Sequence, residues 1–212
     1  HSWAFMETRN GLALLWSEAF SGLGSRQDGI QLRACMWDSK SLKKMPSPQT
    51  GDKDVKIKVA TYPAAAFDGK DSYLAYLTRN MKGRKPNLLL VKTWDGTKWQ
   101  QLGGPLNVFD TKLDDWAFSP GIALLKSGGK TIPYVSWTEH VNGTPPQVFV
   151  KHWDGAKWVS DTEEGASLNV DPENGSAQTA RIAIYKGKPV VIWSEHSFGK
   201  EYMRTIHVKM LR

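Results

Sequence analysis

The sequence predicts an all-β protein, a β-propeller built from four-stranded blades of about 58 residues, and three observations carry that prediction. An eight-residue phrase is written twice, as KTWDGTKW at 92–99 and KHWDGAKW at 151–158, 59 positions apart. Setting the two copies in register aligns the whole chain: third-strand segments end at Trp37, Trp94, Trp153 and Leu211, with spacings of 57, 59 and 58. No stretch shows helical periodicity with caps, so all of the regular structure is expected to be strand. The register treats 1–212 as one propeller domain or a propeller fragment, with blades at about 3–52, 53–109, 110–170 and 171–212.

Each blade reads as four strands in order. The first is WAFME, PAAAF, PGIALL or ARIAIY, and it runs into a turn carrying Gly or Asn: TRNG, FDGK, KSGGK and YKGK. The second is an apolar run ending in an aromatic, LALLW to Trp16, SYLAY to Tyr76, PYVSW to Trp137 and PVVIW to Trp193. Apolar residues at nearly every position mean that both faces of this strand are covered. The third, such as LLLVKTW or QVFVKHW, alternates better and is half exposed. The fourth is short, KWQQL or KWVS, and the last blade lacks it, because Arg212 aligns with Asp95 and Asp154. That blade is expected to show an unpaired edge, either because the chain is a fragment or because another molecule completes it.

The Asp-Gly pair inside the repeated phrase predicts a two-residue hairpin turn between the third and fourth strands. Trp94 and Trp99, like Trp153 and Trp158, flank it and would fill the wedge between neighbouring blades. The competing role, a stacking pair for a ligand, is weakened because eight of the ten tryptophans occupy repeat positions, where packing explains them.

The combination W-D-G-x-K-W, L-N-V, P-x-I-A and P-x-V-x-W-[ST]-E resembles the repeats of bacterial surface and secreted β-propellers over nearly the whole chain. The Asp-Gly turn before a Trp also resembles the Asp-box hairpin of sialidase-type propellers, S-x-D-x-G-x-x-W. Here, however, Asp95 and Gly96 are adjacent and no Ser stands two before the Asp. The Asp-box is a structural hairpin in its own family, so this resemblance implies fold and not catalysis.

A second recurring phrase is the better candidate for function: WSEA at 16–19, WTEH at 137–140 and WSEH at 193–196. Each lies where the second strand runs out into a loop on the propeller face that commonly binds ligands. Glu18, Glu139 and Glu195 would form a rim of carboxylates beside Trp16, Trp137 and Trp193, with His140 and His196 next to two of them. A carboxylate accepting sugar hydroxyls beside an aromatic plane is lectin chemistry, and fucose-type propeller lectins resemble this pattern. The alternative is structural: each Glu accepts backbone N–H groups of its loop, or pairs with a strand lysine such as Lys92 or Lys151. The second blade departs from the pattern with Tyr76, Thr78 and Arg79, and a basic run follows at Lys82, Arg84 and Lys85. Arg79 is therefore a candidate anion contact.

Composition narrows the classes. Net charge is +7 with a pI near 9.4, which directs attention to acidic partners, but the basic residues are scattered and nucleic acid is not expected. Cys35 is the one cysteine, so no intrachain disulfide or cysteine-based zinc site can form. The acidic stretches LDD at 113–115 and DPENGS at 171–176 lack the spaced carboxylates of a calcium loop and read as solvated loops. No metal and no cofactor is expected, and no apolar run is long enough to span a membrane. No G-x-S-x-G, H-E-x-x-H or P-loop pattern occurs.

The sequence therefore leads to a non-enzymatic extracellular or cell-surface module that binds a glycan or a protein through one propeller face. Two alternatives stand beside it. One is a surface-assembly component whose open blade edge is completed by another chain, with self-association as a route to it. The other is a sialidase-like glycoside hydrolase, which would need a cluster of arginines and a Tyr–Glu pair.

Overall fold

The computed structural model describes residues 2–20, 29–49, 58–80, 87–109, 116–140, 143–197 and 204–211. All of the regular structure among them is β. Two compact units divide the chain, His1–Pro105 and Leu106–Arg212. No helix among the described residues is long and apolar enough to cross a membrane.

The first unit holds two antiparallel sheets. One comprises β1 (Trp3–Thr8), β2 (Gly11–Phe20), β3 (Gly29–Trp37) and β4 (Leu42–Lys44), paired in that order. The other comprises β5 (Lys58–Phe67), β6 (Ser72–Asn80), β7 (Asn87–Trp94) and β8 (Trp99–Gln101), again in order. In the second unit, β9 (Trp116–Ser127), β10 (Lys130–His140), β11 (Gln147–Trp153) and β12 (Trp158–Ser160) form one sheet. The last sheet has three strands, β13 (Gly175–Tyr185), β14 (Lys188–Ser197) and β15 (Arg204–Met210), so among the described residues the fourth blade lacks an outer strand, as its sequence predicts.

Sequence alternation decides which face each sheet buries. In the first unit Met6, Ala13, Leu15, Leu32 and Ala34 point one way and pack with Ala60, Leu74, Tyr76 and Trp94 into one apolar core. In the second unit Tyr134, Val148 and Val150 pack with Ala177, Ala180, Val191 and Trp193 in the same manner. Each large apolar side chain so buried contributes about 1.5–3 kcal/mol; the repeated aromatic at the end of the second strand is inside in three blades, as Tyr76, Trp137 and Trp193, and half-buried in the first, as Trp16.

The phrase around Asp95 folds differently from the two-residue turn expected. Trp94 pairs with Trp99, the Asp95 N–H donates to the Lys98 carbonyl, and only Gly96 takes a positive φ, at 100°. The Asp95 side chain drives this longer turn. Its Oδ1 accepts from the Thr97 and Lys98 N–H groups and from the Thr97 hydroxyl, which holds the carboxyl well below its ordinary pKa. Asp154 builds the same turn on the N–H groups of Ala156 and Lys157. The tryptophans pack, as their repeat positions suggest: Trp94 lies 5.2 Å from Trp99, whose indole N–H donates to the Pro46 carbonyl at 2.9 Å.

In three sheets the first strand carries a bulge opposite the buried aromatic. Tyr62, Ser119 and Thr179 sit there with φ of 52°, 52° and 58°, a conformation that non-glycine residues adopt only when the surroundings impose it.

Candidate functional site

Two of the repeated carboxylates turn inward. Glu139, at the end of β10, is 0% exposed; its Oε2 accepts from the Val108 N–H and the Trp137 indole N–H, and its Oε1 accepts from the Phe109 N–H. Glu195, at the end of β14, is 3% exposed and repeats the arrangement on Val170, Asp171 and Trp193. Each carboxylate thus holds the linker that enters its own blade, and Trp137 and Trp193 serve as additional donors rather than as open stacking planes. Lys151 grips the same linker from β11, donating to the Leu106 carbonyl at 2.8 Å. Burial pushes its pKa down, and the negative charges of Glu139 and Glu164 oppose that shift. A carboxylate with three protein donors has little capacity left for sugar hydroxyls.

The remaining predicted residues scatter. Glu18 is exposed and forms an ion pair with Arg33 at 2.7 Å, and with Trp16 it lines an open pocket in the first unit. Thr78 is buried in the second blade at the position the others give to Glu. The side chain of Arg79, the basic run 82–85 and the acidic stretch 113–115 lie outside the described residues. His196 is half-buried on β14, beside Glu195 in sequence.

His140 is the predicted residue that reaches a cleft of its own. In the second unit, the 143–146 segment and the 171–176 turn enclose a cavity of about 500 Å³ lined by His140, Thr144, Glu173, Asn174 and Ser176, with Gly143, Pro145 and Pro146 completing its wall. Both walls are fixed from behind. Gln147 donates to the Pro172 carbonyl, Asn169 donates to the carbonyls of Pro146 and Gly175, and the Ala177 N–H donates to Pro146. Asp171 shapes the turn by accepting the Asn174 N–H on its side chain and the Gly175 N–H on its carbonyl.

Glycine is required at the end of that turn. A Cβ on residue 175 would lie 2.1 Å from Glu195 Oε1 and 2.5 Å from the Asp171 carbonyl oxygen. The clamp carboxylate therefore packs directly under the cleft wall and positions it. The stretch DPENGS, which reads from sequence as a solvated loop, supplies Glu173, Asn174 and Ser176 to the cleft. Its signal was the density of short polar residues, without any spacing that betrays a site.

The cleft offers one carboxyl group, one imidazole, two hydroxyls and one amide beside an apolar Pro-Pro wall. That set can accept from and donate to polyol hydroxyls and can move a proton. Among the described residues no group of three or more His, Cys, Asp or Glu could hold a metal ion.

Comparison with known proteins gives a fold and no close relative. No protein-family model matches the sequence, and no curated protein matches it. Solved structures do match. A thermostable family-43 glycoside hydrolase superposes with a TM-score of 0.55 at 12% identity, covering 99% of this chain and 70% of that one. The α-L-arabinanase of Penicillium chrysogenum, solved with arabinobiose, gives 0.56 at 10% identity over 97% of this chain and 64% of its own. An endo-arabinanase from Bacillus licheniformis gives 0.51 at 13%, covering 99% and 71%.

The fold class is accordingly the all-β propeller that the sequence predicts, a fold these matching structures share. This likeness corrects the expectation of a non-enzymatic binding or assembly module, since the propellers that match are enzymes that cleave glycosidic bonds. The physical source of the error is plain. The binding reading rested on a rim of carboxylates, and two of the three are taken up by backbone donors.

Proposed function

We propose that the protein is a glycoside hydrolase whose glycan substrate enters the second-unit cleft between His140 and the 171–176 turn. The observation that carries this reading is the coincidence of a fold shared with glycan-cleaving enzymes and a rigidly backed, polyol-compatible cleft within it. Glycoside hydrolysis takes carboxyl groups acting as acid, base or nucleophile on either side of the scissile bond. Glu173 is the carboxyl lining the cleft, and in this reading it exchanges a proton with the reacting oxygen while His140 acts as its partner. Thr144, Asn174 and Ser176 orient the sugar hydroxyls, and the proline wall receives an apolar sugar face. A polysaccharide substrate goes with an extracellular or cell-surface location.

The sialidase form of this chemistry is less well supported. It needs arginines gathered on one carboxylate, whereas Arg9 is held by Asp71 at 2.7 Å and Arg33 by Glu18.

Arabinan is the first substrate to try, because two of the matching structures are named as arabinanases. Reducing-sugar release from arabinan, and from a panel of other plant and microbial polysaccharides, should be detectable for the wild type. It should fall about 100-fold or more in Glu173→Gln, the size of a lost acid–base group. Folded protein that releases nothing from the panel, or a Glu173→Gln variant with full activity, contradicts the assignment.

A further inference from the structure

We infer that the third blade carries a further carbohydrate site, a cavity between its outer β11–β12 hairpin, the 107–108 segment and the linker that follows β12, built to hold a hexuronate unit of an acidic saccharide. The cavity has a volume of about 510 Å³ and lies wholly within the second unit. No described residue lines both it and the cleft beside His140, so the inference stands on its own observations and not on the hydrolase reading.

The repeat marks this cavity as an elaboration of the blade. Six residues separate Trp99 from Leu106 after the second blade, whereas nine separate Trp158 from Leu168 after the third. The longer linker folds into a turn of its own. The Ala166 N–H donates to the Glu163 carbonyl at 2.9 Å, the Thr162 hydroxyl donates to the Ala166 carbonyl at 2.7 Å, and Gly165 takes a φ of 80°. A turn fixed in this way places Glu164 on the cavity wall and holds Thr162 beside Ser160 there, their hydroxyls 3.1 Å apart.

The chemistry of the lining selects the ligand. An ammonium has three donors, and Lys151 gives one of them to the Leu106 carbonyl at 2.8 Å. Exposed Lys157 is the second cation of the lining, and Glu164 is its one acid, near enough to Lys151 to oppose the fall that burial imposes on that pKa. Two ammonium groups against one carboxylate leave a single positive charge for an anion to match. A sugar carboxylate meets it, whereas a doubly charged phosphate would exceed it and face Glu164. Trp158, packed edge-on against Trp153 at 5.5 Å, adds an apolar plane for the C–H face of a pyranose. Ser160 and Glu164 then serve as acceptors for the ring hydroxyls. The net charge of +7 agrees with an acidic partner.

Trigalacturonate is the probe, titrated into the wild-type protein and followed by tryptophan fluorescence and calorimetry. Saturable binding with a Kd of about 10 μM to 1 mM is expected, the range that a few charge-assisted hydrogen bonds support. Lys157→Met should weaken it about tenfold, and the methyl-esterified probe should bind about tenfold more weakly than the acid. Lys151→Met should remove binding. Circular dichroism shows whether that variant folds, and Lys157→Met, at an exposed position, decides the matter if it does not. Glu173→Gln should bind the probe as the wild type does, which separates this site from the cleft. The inference is overturned if the acid fails to bind at about 10 mM, if ester and acid bind equally, or if Lys157→Met binds as tightly as the wild type. Displacement of the acid by an equal concentration of inorganic phosphate, or loss of binding in Glu173→Gln, overturns it equally.

Discussion

Glu18 and Glu139 sit at the same place in the repeated W-[ST]-E phrase, yet one is exposed beside an arginine and the other is sealed with three donors around it. The difference lies in the partners. Val108 and Phe109, about 30 residues upstream, reach Glu139, whereas Glu18 meets the Arg33 side chain from the neighbouring strand. A repeated carboxylate therefore marks a place in a strand, while its job is set by the segment packed on it. Removing a carboxylate that satisfies buried donors is costly, and removing one from an exposed ion pair is nearly free.

Variants can break this contrast in graded steps. The largest effect is expected for Glu195→Ala, which strands the Val170 and Asp171 N–H groups and the Trp193 indole N–H; a loss of about 3–5 kcal/mol should appear in urea unfolding. Lys151→Met removes the charged hydrogen bond to the Leu106 carbonyl, with an expected loss of about 1.5–3 kcal/mol. Gly175→Ala forces a methyl against Glu195 and should destabilise by about 1–3 kcal/mol, while also displacing the cleft wall so that any hydrolytic activity falls further than stability does.

The smallest effect concerns the acid limb of the pH profile. The Asp95 carboxyl is depressed below its ordinary value of 3.8 by the Thr97 hydroxyl and by backbone N–H groups. A depressed folded-state pKa gives stability that is present above 3.8 and lost as pH falls through the lower folded value. Asp95→Asn should therefore lower stability modestly in the neutral region and converge with the wild type as pH falls below about 4, giving a flatter acid limb in thermal melts across pH.

The sequence was informative about architecture and poor about environment. The period of the aromatics fixed the sheets, because a strand's burial pattern is local and repeats with the chain. The turn around Asp95 was recognised as a turn but mistaken for a shorter one, since the competition between a two-residue hairpin and side-chain capping by Asp is decided by hydrogen bonds that spacing does not reveal. His140 was found through its place after the repeated Glu. Glu173, Asn174 and Ser176 were not, because a turn rich in short polar residues looks alike whether it faces water or walls a cleft. For Glu139 and Glu195 the structural alternative named from the sequence, carboxylates accepting backbone N–H groups, is the one the hydrogen bonds show, and the sequence could not choose between it and a glycan because backbone donors are common to every residue but proline.

The most direct test places Glu139→Gln and Glu18→Gln side by side in equilibrium urea unfolding. Glutamine keeps the shape but turns an amide donor toward groups that are themselves donors, so Glu139→Gln should cost at least about 2 kcal/mol, and Glu18→Gln less than about 1 kcal/mol. Equal losses at the two positions would contradict the account that one repeated residue is a buried linker clamp in the second unit and an open group in the first.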